Sequence, residues 1–442
     1  MAAAETLAAE AQPEAETPTA LSAAARLRII AYFGGLIVLM GFPSNIIGVP
    51  IGFFLKNKLH LAAHQVAIFG LISSIPVYFA VAFGFVRDVW SPFGRGDRGY
   101  LVLSGAFGAA LAAGFAFAAP TYAALMAASL LLAVCGLFLR SAQRGLMATM
   151  GQQHVMTGQV AAAANTFDSL PTIVGLLAGG LVSNIMEGDR AGDGARMFFL
   201  VAAAFLGAIG LYGLLRPRVV FDNVHRELKP TARLRDDLIR LVRHAPIYPA
   251  LLIWLLWQFV PGFGTPLQYF LQDSLKFSDL QYTIWFALYY SGGIPGFILY
   301  GFLCQRFALR TLLFWGALAA TPMMLPLLVI HGLSGALVIA PTMGGLAGVG
   351  SAAIFDLIIR SCPKGLQGSM LMAVTGVLAV DGSLGDVLGT SLYDHFHDFT
   401  VCVIAMTITN ALILPAILLI PREVISTPDG VAPPAEPEGA PS

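Results

Sequence analysis

The chain has 442 residues, of which 57% are hydrophobic and only 11% are charged, and its 25 Lys and Arg residues balance its 25 Asp and Glu residues. Soluble domains carry about 25% charged residues, so lipid must cover much of this protein's surface. The neutral balance gives no indication of a nucleic-acid partner. The four cysteines form neither a disulfide framework nor a zinc motif, so no metal ion or cofactor is expected.

Twelve apolar runs, each long enough to form a helix across the hydrocarbon core, follow one another along the chain. Six fall within residues 28–215 and six within residues 246–421, which predicts an all-α membrane protein of two six-helix halves. The runs lie near 28–55, 65–86, 100–118, 121–150, 158–186, 195–215, 246–272, 280–304, 310–331, 334–360, 367–393 and 399–420.

The segments outside the two halves are polar or of low complexity. Residues 1–27 and 422–442 are rich in Ala, Pro and acidic residues, a composition typical of disordered, solvated termini. The central loop, residues 216–245, carries Leu and Val at helical spacing between Arg and Asp residues. This pattern predicts a short amphipathic helix on the membrane surface.

The placement of Lys and Arg predicts the orientation, because basic residues collect on the cytoplasmic side of a membrane. With the N-terminus inside, all but five of the 25 basic residues face the cytoplasm. The five exceptions are Lys56, Lys58, Arg190, Arg196 and Lys276. We therefore expect a multi-pass protein of the cell inner membrane with both termini in the cytoplasm, and nothing in the sequence indicates more than a monomer.

The two halves repeat short motifs at matching positions. Gly84-x-x-x-Asp88 ends the second run, and Gly301-x-x-x-Gln305 ends the eighth. Toward the end of the fourth and tenth runs, an Arg-Ser pair follows three apolar residues, as Arg140-Ser141 and as Arg360-Ser361. Parallel repeats of six helices are the arrangement of major facilitators, whose substrate site lies between the halves.

The motif Gly84-x-x-x-Asp88, followed by Arg95 and Arg98, resembles the signature between helices 2 and 3 of the major facilitator superfamily. The resemblance implies that Asp88 and the arginines Arg87, Arg95 and Arg98 form gate contacts between helices on the inner side. An acid beside arginines can pair in one state and separate in the other, which provides the bistability that switching needs.

A narrower resemblance concerns the folate–biopterin transporter family. The motif that starts at Arg140 is similar to the helix-4 motif of the superfamily, and residues 54–84 and 356–363 are similar to the folate–biopterin family. Residues 77–79 lack the tryptophan and lysine that this family usually carries there. The resemblance implies a pterin-like or folate-like solute.

Two acids lie deep within their runs. At a rise of 1.5 Å per residue, Asp168 lies about 17 Å and Asp381 about 21 Å from the start of their helices, so both fall near the middle of the membrane. Ionisable groups at this depth are costly and mark functional sites. We predict that Asp168 and Asp381 couple transport to protons; the alternative is that neighbouring helices simply satisfy them.

Other polar and aromatic residues complete the predicted site. Asp356 and Arg360 stand four residues apart, so they can pair across one helical turn as a structural or gating ion pair. The predicted substrate-binding residues are Arg140, Asn45, Trp254, Gln258, Trp285 and Tyr289. Packing or anchoring at the membrane interface is the alternative for the aromatic members.

These features predict a secondary active transporter and not an enzyme, because the sequence has no nucleotide-binding loop and no nucleophile–base pair within a run. The expected substrate is a small organic solute, aromatic or heterocyclic and anionic, moved by alternating access together with protons. The lipid bilayer is the other expected partner. Two alternatives stay open: a permease of muropeptide or siderophore type, and a non-transporting membrane assembly factor of the same fold.

Overall fold

The computed structural model describes residues 21–57, 59–60, 63–119, 121–186, 191–222, 234–330 and 332–431. The first half comprises α1 (Ala23–Asn57), α2 (Ala63–Tyr78), α3 (Ala80–Val89), α4 (Asp97–Phe117), α5 (Tyr122–Gln153), α6 (Thr157–Met186) and α7 (Ala191–Tyr212). Two helices connect the halves, α8 (Arg218–Phe221) and α9 (Leu234–Arg243). The second half comprises α10 (Ile247–Gln258), α11 (Thr265–Tyr269), α12 (Asp279–Leu303), α13 (Leu309–Ala320), α14 (Leu333–Arg360), α15 (Gln367–Phe396), α16 (Phe399–Ala411), α17 (Ile413–Ala416) and α18 (Arg422–Ile425).

The spans of this bundle agree with the apolar runs of the sequence. Ten spans in the described part of the chain are long and apolar enough to cross a membrane. The count becomes eleven if the helices Arg235–Arg243 and Ile247–Gln258, which meet at 71°, are taken together as one span. The shorter apolar helix Arg196–Tyr212 lies where the sixth run is predicted. The all-α membrane fold is therefore confirmed, and these positions are consistent with twelve helices.

Several helices begin at residues that satisfy the free N–H groups of a first turn. Ser278 Oγ accepts a hydrogen bond from Gln281 N at 3.3 Å, and the Gln281 side chain accepts one from Ser278 N at 2.9 Å. This capping box starts α12, and Thr121 caps α5 by accepting from Ala124 N at 3.2 Å. Loss of such a cap costs about 1 kcal/mol.

The helices α12 and α14 approach so closely that no side chain fits between them at their crossing. A Cβ atom at Gly344 would lie 1.9 Å from Tyr289 O, and one at Gly292 would lie 2.2 Å from Pro341 O. Glycine at these positions lets backbone pack directly on backbone. The two helices therefore form one tightly joined unit of the second half.

The connecting segment contains the predicted amphipathic helix, although residues 223–233 lie outside the described part of the chain. Helix α9 packs at one end of the second half, where Arg240 Nη2 donates to Lys364 O at 2.8 Å. His244 Nε2 lies 3.0 Å from Ser361 O. The helix is thus attached to the second half as well as connecting the two halves.

The C-terminal segment differs from the sequence-based expectation. Residues 1–20 and 432–442 lie outside the described part, but residues 422–431, expected to be a disordered tail, pack against the bundle. Ile425 is only 3% exposed and Asp429 only 5% exposed. The physical reason is that Asp429 finds buried hydrogen-bond partners on both halves, which the composition of the tail does not reveal.

Candidate functional site

The seam between the halves is formed by long helices that lie alongside each other. Helices α3 and α5 of the first half pack along α15 of the second, and α6 packs along α12 and α14. Close contacts across the seam gather where α3 and α12 end and where α6 and α15 begin. We call this the gate end of the bundle.

A buried cluster of three charges lies at the gate end on the first half. Arg87 binds Asp97 through two parallel hydrogen bonds, Nε to Oδ1 at 2.5 Å and Nη2 to Oδ2 at 2.7 Å. Its Nη1 also donates to Asp88 Oδ1 at 2.7 Å. The exposed fractions are 5% for Arg87, 3% for Asp88 and 5% for Asp97. The second oxygen of Asp88 remains available to the other half.

Asp88 uses that oxygen to bind the second half. Its Oδ2 accepts hydrogen bonds from Ser369 N at 2.7 Å and from Ser369 Oγ at 2.6 Å. Ser369 lies in the first turn of α15, where N–H groups lack helical partners and the helix dipole favours an anion. The backbones approach closely, since a Cβ atom at Gly84 would lie 2.6 Å from Ser369 Cα. Asp88 thus fastens α15 to α3.

The gating residues implied by the signature fall in different places. Arg87 and Asp88 lie at the seam, together with Asp97, which sequence reasoning missed. Arg98 instead donates to two carbonyl groups at the end of α7, at 3.1 and 2.6 Å, so it holds the first half together. Arg95 is exposed in the loop between α3 and α4. The sequence signal for Asp97 was its position directly after Gly-Arg-Gly, in the first turn of a helix.

A glutamine near the end of α5 makes a further link across the seam. Gln152 Nε2 donates to Ile359 O at 2.8 Å and to Cys362 O at 2.9 Å. Its Oε1 accepts from Gln367 Nε2 at 2.9 Å. A single glutamine at a helix end carries no distinctive sequence signal, so this link was not predicted.

Asp356 and Arg360 form a buried ion pair at the end of α14, with Arg360 Nε 2.9 Å from Asp356 Oδ1. Tyr300 OH donates to Asp356 Oδ2 at 2.7 Å, and Asp356 is 0% exposed. Arg360 Nε also lies 3.1 Å from Thr157 Oγ1 at the start of α6. The pair therefore lies at the seam as well as within the second half.

Charged groups of the first half and polar groups of the second also meet further along α15 than the contact between Asp88 and Ser369. Arg144 lies about 14 Å along α5 from its gate-end terminus, and its Nη1 donates to Thr375 Oγ1 of α15 at 2.5 Å. Arg140 lies one turn deeper on the same face. The charges of Arg140 and Asp168 both act on Arg144, and the charge of Asp168 also acts on Tyr290 of α12.

Asp168 faces the interior of the bundle. Asn165, three residues earlier, accepts a hydrogen bond from Ser351 of α14 at 3.2 Å. Phe167 packs on α1, where a Cβ atom at Gly34 would lie 2.5 Å from its ring. At 3.6 residues per turn, Asp168 points between these two directions. Its side chain is exposed to the space between α1 and α14.

Asp381 points to a different side of the bundle from Asp168. Gly385, one turn further along α15, faces the segment after α10, since its Cβ atom would lie 3.6 Å from Phe259. Asp381 shares that side of the helix, whereas Thr375 lies about 120° around it. In the described part of the chain, Asp381 Oδ2 is buried without a hydrogen-bond partner. The two acids predicted to couple protons are therefore not brought together.

The remaining predicted substrate-binding residues lie mostly within packed structure. Trp285 is 0% exposed and stacks parallel to Tyr289, with ring centroids 6.1 Å apart, so it has no face open to a solute. Trp254 packs edge-on against an aromatic ring of α14. Gln258 is exposed at the end of α10. Asn45 belongs to α1, but its side chain lies outside the described part of the structure.

Two helical halves meet along this seam, with buried charges at the gate end and, further along the helices, charged groups of the first half beside polar groups of the second. The profile of the Major Facilitator Superfamily matches residues 31–389. The chain belongs to that superfamily, and it is accordingly a transporter and not an enzyme.

Solved structures share this fold at low sequence identity. The E. coli fucose:proton symporter FucP is 14% identical with a TM-score of 0.68, covering 90% of this chain and 99% of its own. The proton:xylose symporter XylE is 14% identical with a TM-score of 0.65, covering 91% and 96%. A bacterial homologue of the iron transporter ferroportin is 13% identical with a TM-score of 0.63, covering 89% and 99%. No curated protein sequence matches this chain, and no comparison supports the narrower resemblance to folate–biopterin transporters.

Proposed function

We propose that this chain is a proton-coupled secondary transporter of a small organic anion. The contact of Arg144 with Thr375 carries the proposal, because it brings a cation of the first half to the second half within the bundle. Arg140 lies one turn deeper, and Asp168 is close enough for its charge to act on Arg144. Cations for a substrate and an acid for a proton thus lie in one region.

The guanidinium of Arg144 is suited to an anionic solute. Its planar donors match a carboxylate in two parallel hydrogen bonds. A solute that occupies these donors replaces the bond to Thr375 and so removes one link between α5 and α15. A ligand shifts an equilibrium by its differential affinity for two states. Solute binding would therefore weaken the closed gate end.

Asp168 is the proposed proton site. An anion beside Arg144 adds a negative charge to a region that already holds this acid, and one proton on Asp168 compensates it. Tyr290 of α12, which is 37% exposed, offers a ring face for an aromatic or heterocyclic solute of pterin or folate type. The shared fold with two symporters of protons and sugars supports the coupling only at the level of architecture.

We also propose that the protein lies in the inner membrane with its gate end facing the cytoplasm. The excess of Lys and Arg at the gate end supports a cytoplasmic location for this end and for both termini, in the inner membrane. The site is formed within one chain, which supports a monomeric carrier.

The experiment that tests the function is uptake into proteoliposomes, with and without an inward proton gradient. The panel contains folate, biopterin, a siderophore, a muropeptide and L-fucose, and protein-free liposomes are the control. Gradient-driven accumulation of an anionic member supports the proposal. Uptake that does not depend on the gradient would overturn proton coupling. Uptake of L-fucose alone would overturn the proposal that the substrate is an anion. Absence of uptake and binding, together with co-purification of membrane partners, favours the assembly-factor alternative.

Replacement of Arg144 by glutamine is expected to weaken binding of the anionic solute about 10- to 100-fold, since hydrogen bonds to charged groups contribute about 1.5–3 kcal/mol. Isothermal titration calorimetry in detergent measures this change. The control is Arg196→Gln, which removes an exposed arginine of α7 whose guanidinium lies 4.4 Å from the Phe117 ring. A neutral ester of the same solute should bind both variants alike. Equal losses for acid and ester would contradict the role of Arg144.

A further inference from the structure

The gate end contains two related locks, one on each side of the seam. In the first, Asp88 Oδ2 accepts from Ser369 N in the first turn of α15 at 2.7 Å. In the second, the first turn of α6 donates to a carboxylate through Gly158 N at 3.2 Å and Gln159 N at 3.0 Å. That carboxylate belongs to Asp429, about 270 residues further along the chain.

The helix starts that receive these acids are equivalent by repeat. Gly158 and Gly368 both stand in the first turn, where the end of a neighbouring helix approaches. A Cβ atom at Gly368 would lie 2.6 Å from Asp88 Oδ1, and one at Gly158 would lie 2.7 Å from Cys304 Cβ. Cys304 directly follows the last residue of α12, and Arg87 and Asp88 lie in the last turn of α3.

The second half lacks an acid at the position that Asp88 occupies in the first. The motif Gly301-x-x-x-Gln305 places a glutamine there. Gln305 is exposed, and its Nε2 donates back to Gly301 O at 2.9 Å. It therefore does not reach the first turn of α6. The carboxylate of Asp356 lies nearby, 2.9 Å from where a Cβ atom of Gly158 would stand, but Gly158 N and Gln159 N donate to Asp429.

We propose that residues 426–431, the C-terminal strap, supply the acid that the second repeat lacks and thereby control the opening of the gate end. The strap binds both halves. Gly430 N donates to Val155 O of the first half at 2.7 Å, and Asp429 N donates to Cys304 O of the second at 2.9 Å. Opening the seam separates these two partners, so the strap must leave one half before the gate can open.

The Asp429 carboxylate is fully engaged in this position. Arg360 Nη2 donates to its Oδ1 at 2.9 Å, and Arg360 Nη1 donates to Thr427 O at 2.7 Å. Burial raises the pKa of Asp429 to about 6, as does the nearby Asp356, while Arg360 and two backbone N–H groups oppose the rise. The hydrogen bonds from Arg360 and the two backbone N–H groups favour the charged form of the carboxyl. Gly430 turns the strap with φ of 86°, a conformation that favours glycine.

Loss of this carboxylate leaves several groups unpaired. The first-turn N–H groups of α6 lose their acceptor, and among the described residues Arg360 keeps only Asp356 as a charged partner. Removing one member of a buried ion pair is strongly destabilising, because it leaves the other charge buried without compensation. Since the strap is docked only when the gate end is closed, this loss falls on the closed state and raises the open population.

A native cysteine reports on the strap. Cys304 is 1% exposed, and its Sγ lies 3.6 Å from Asp429 Oδ2, so the strap covers it. The other cysteines are removed by Cys135→Ala, Cys362→Ala and Cys402→Ala. In this background, labelling of Cys304 by a soluble maleimide measures strap release. A second measurement, electron spin distances between labels at the exposed loop residues Phe93 and Phe307, measures separation of the halves.

Asp429→Asn is expected to accelerate labelling of Cys304 about tenfold or more and to add a longer distance between the spin labels. Asp429→Glu should stay close to the parent, because it keeps the charge. Glu423→Gln removes an exposed acid from α18, directly before the strap, and is the matched control. Fluorescence size-exclusion chromatography checks that each variant is folded, and truncation after Ile425 provides a second way of removing the strap.

Two results would overturn the proposal. One is labelling of Asp429→Asn and of the truncated chain at the parent rate. The other is faster labelling with unchanged spin distances, which would make the strap only a cover over Cys304. No substrate is needed for either measurement, so the strap can be tested independently of the proposed transport function.

Discussion

Asp168→Asn is expected to abolish accumulation against a gradient while leaving exchange intact. One pH unit corresponds to about 1.4 kcal/mol, so a carrier of one proton per solute can sustain about a tenfold concentration ratio across it. Without a titratable group at position 168, the ratio should fall to about one. Uptake of labelled solute into proteoliposomes at a fixed pH gradient measures the ratio, and counterflow at equal pH measures exchange.

Two other acids serve as comparisons for Asp168. Asp273→Asn removes an exposed carboxyl of the second half and should leave accumulation unchanged. Asp381→Asn should reduce accumulation less than Asp168→Asn, because Asp381 points toward the segment after α10 and not toward Arg144. Full accumulation by Asp168→Asn, or its complete loss in Asp381→Asn alone, would contradict the assignment of the proton site.

Gly84→Ala is expected to prevent the gate end from closing. A Cβ atom at this position would lie 2.6 Å from Ser369 Cα and 2.7 Å from Gly368 O, and neither backbone can move aside without displacing α15. Overpacking of this kind costs about 1–3 kcal/mol, so the ratio of closed to open molecules should fall about 10- to 100-fold. Spin labels at Phe93 and Phe307 measure the two populations.

The same substitution at Gly70 provides the control for Gly84. Gly70 belongs to the other part of the same span, and a Cβ atom there would meet nothing within 4 Å. Gly70→Ala should therefore leave the distance distribution and the transport rate unchanged. If Gly84→Ala shows the parent distribution, the close approach of α3 and α15 does not control closure.

Much of the fold was predictable because its signals are local. A run of about 20 apolar residues forms a spanning helix wherever it occurs, since backbone groups in lipid must pair within the segment. The pairing of Asp356 with Arg360 follows from the four-residue period of a helix. The role of Arg87 and Asp88 at the seam was accessible through the motif that contains them.

The unpredicted parts of the site depend on contacts between distant segments. Thr375 and Tyr290 become site residues only because α15 and α12 pack opposite α5 and α6, and Trp285 is closed off by the packing of its own half. Asp429 is the clearest example. It follows a proline in a tail of disordered composition, and only the fold brings it to the start of α6.

Because backbone packs directly on backbone where they cross, α12 and α14 form one rigid unit. Helices that meet through side chains can slide as those side chains change rotamer, but at Gly292 and Gly344 there is nothing to rearrange. We therefore expect a displacement of α12 to move α14 with it, including Arg360, which binds the strap at the end of α14.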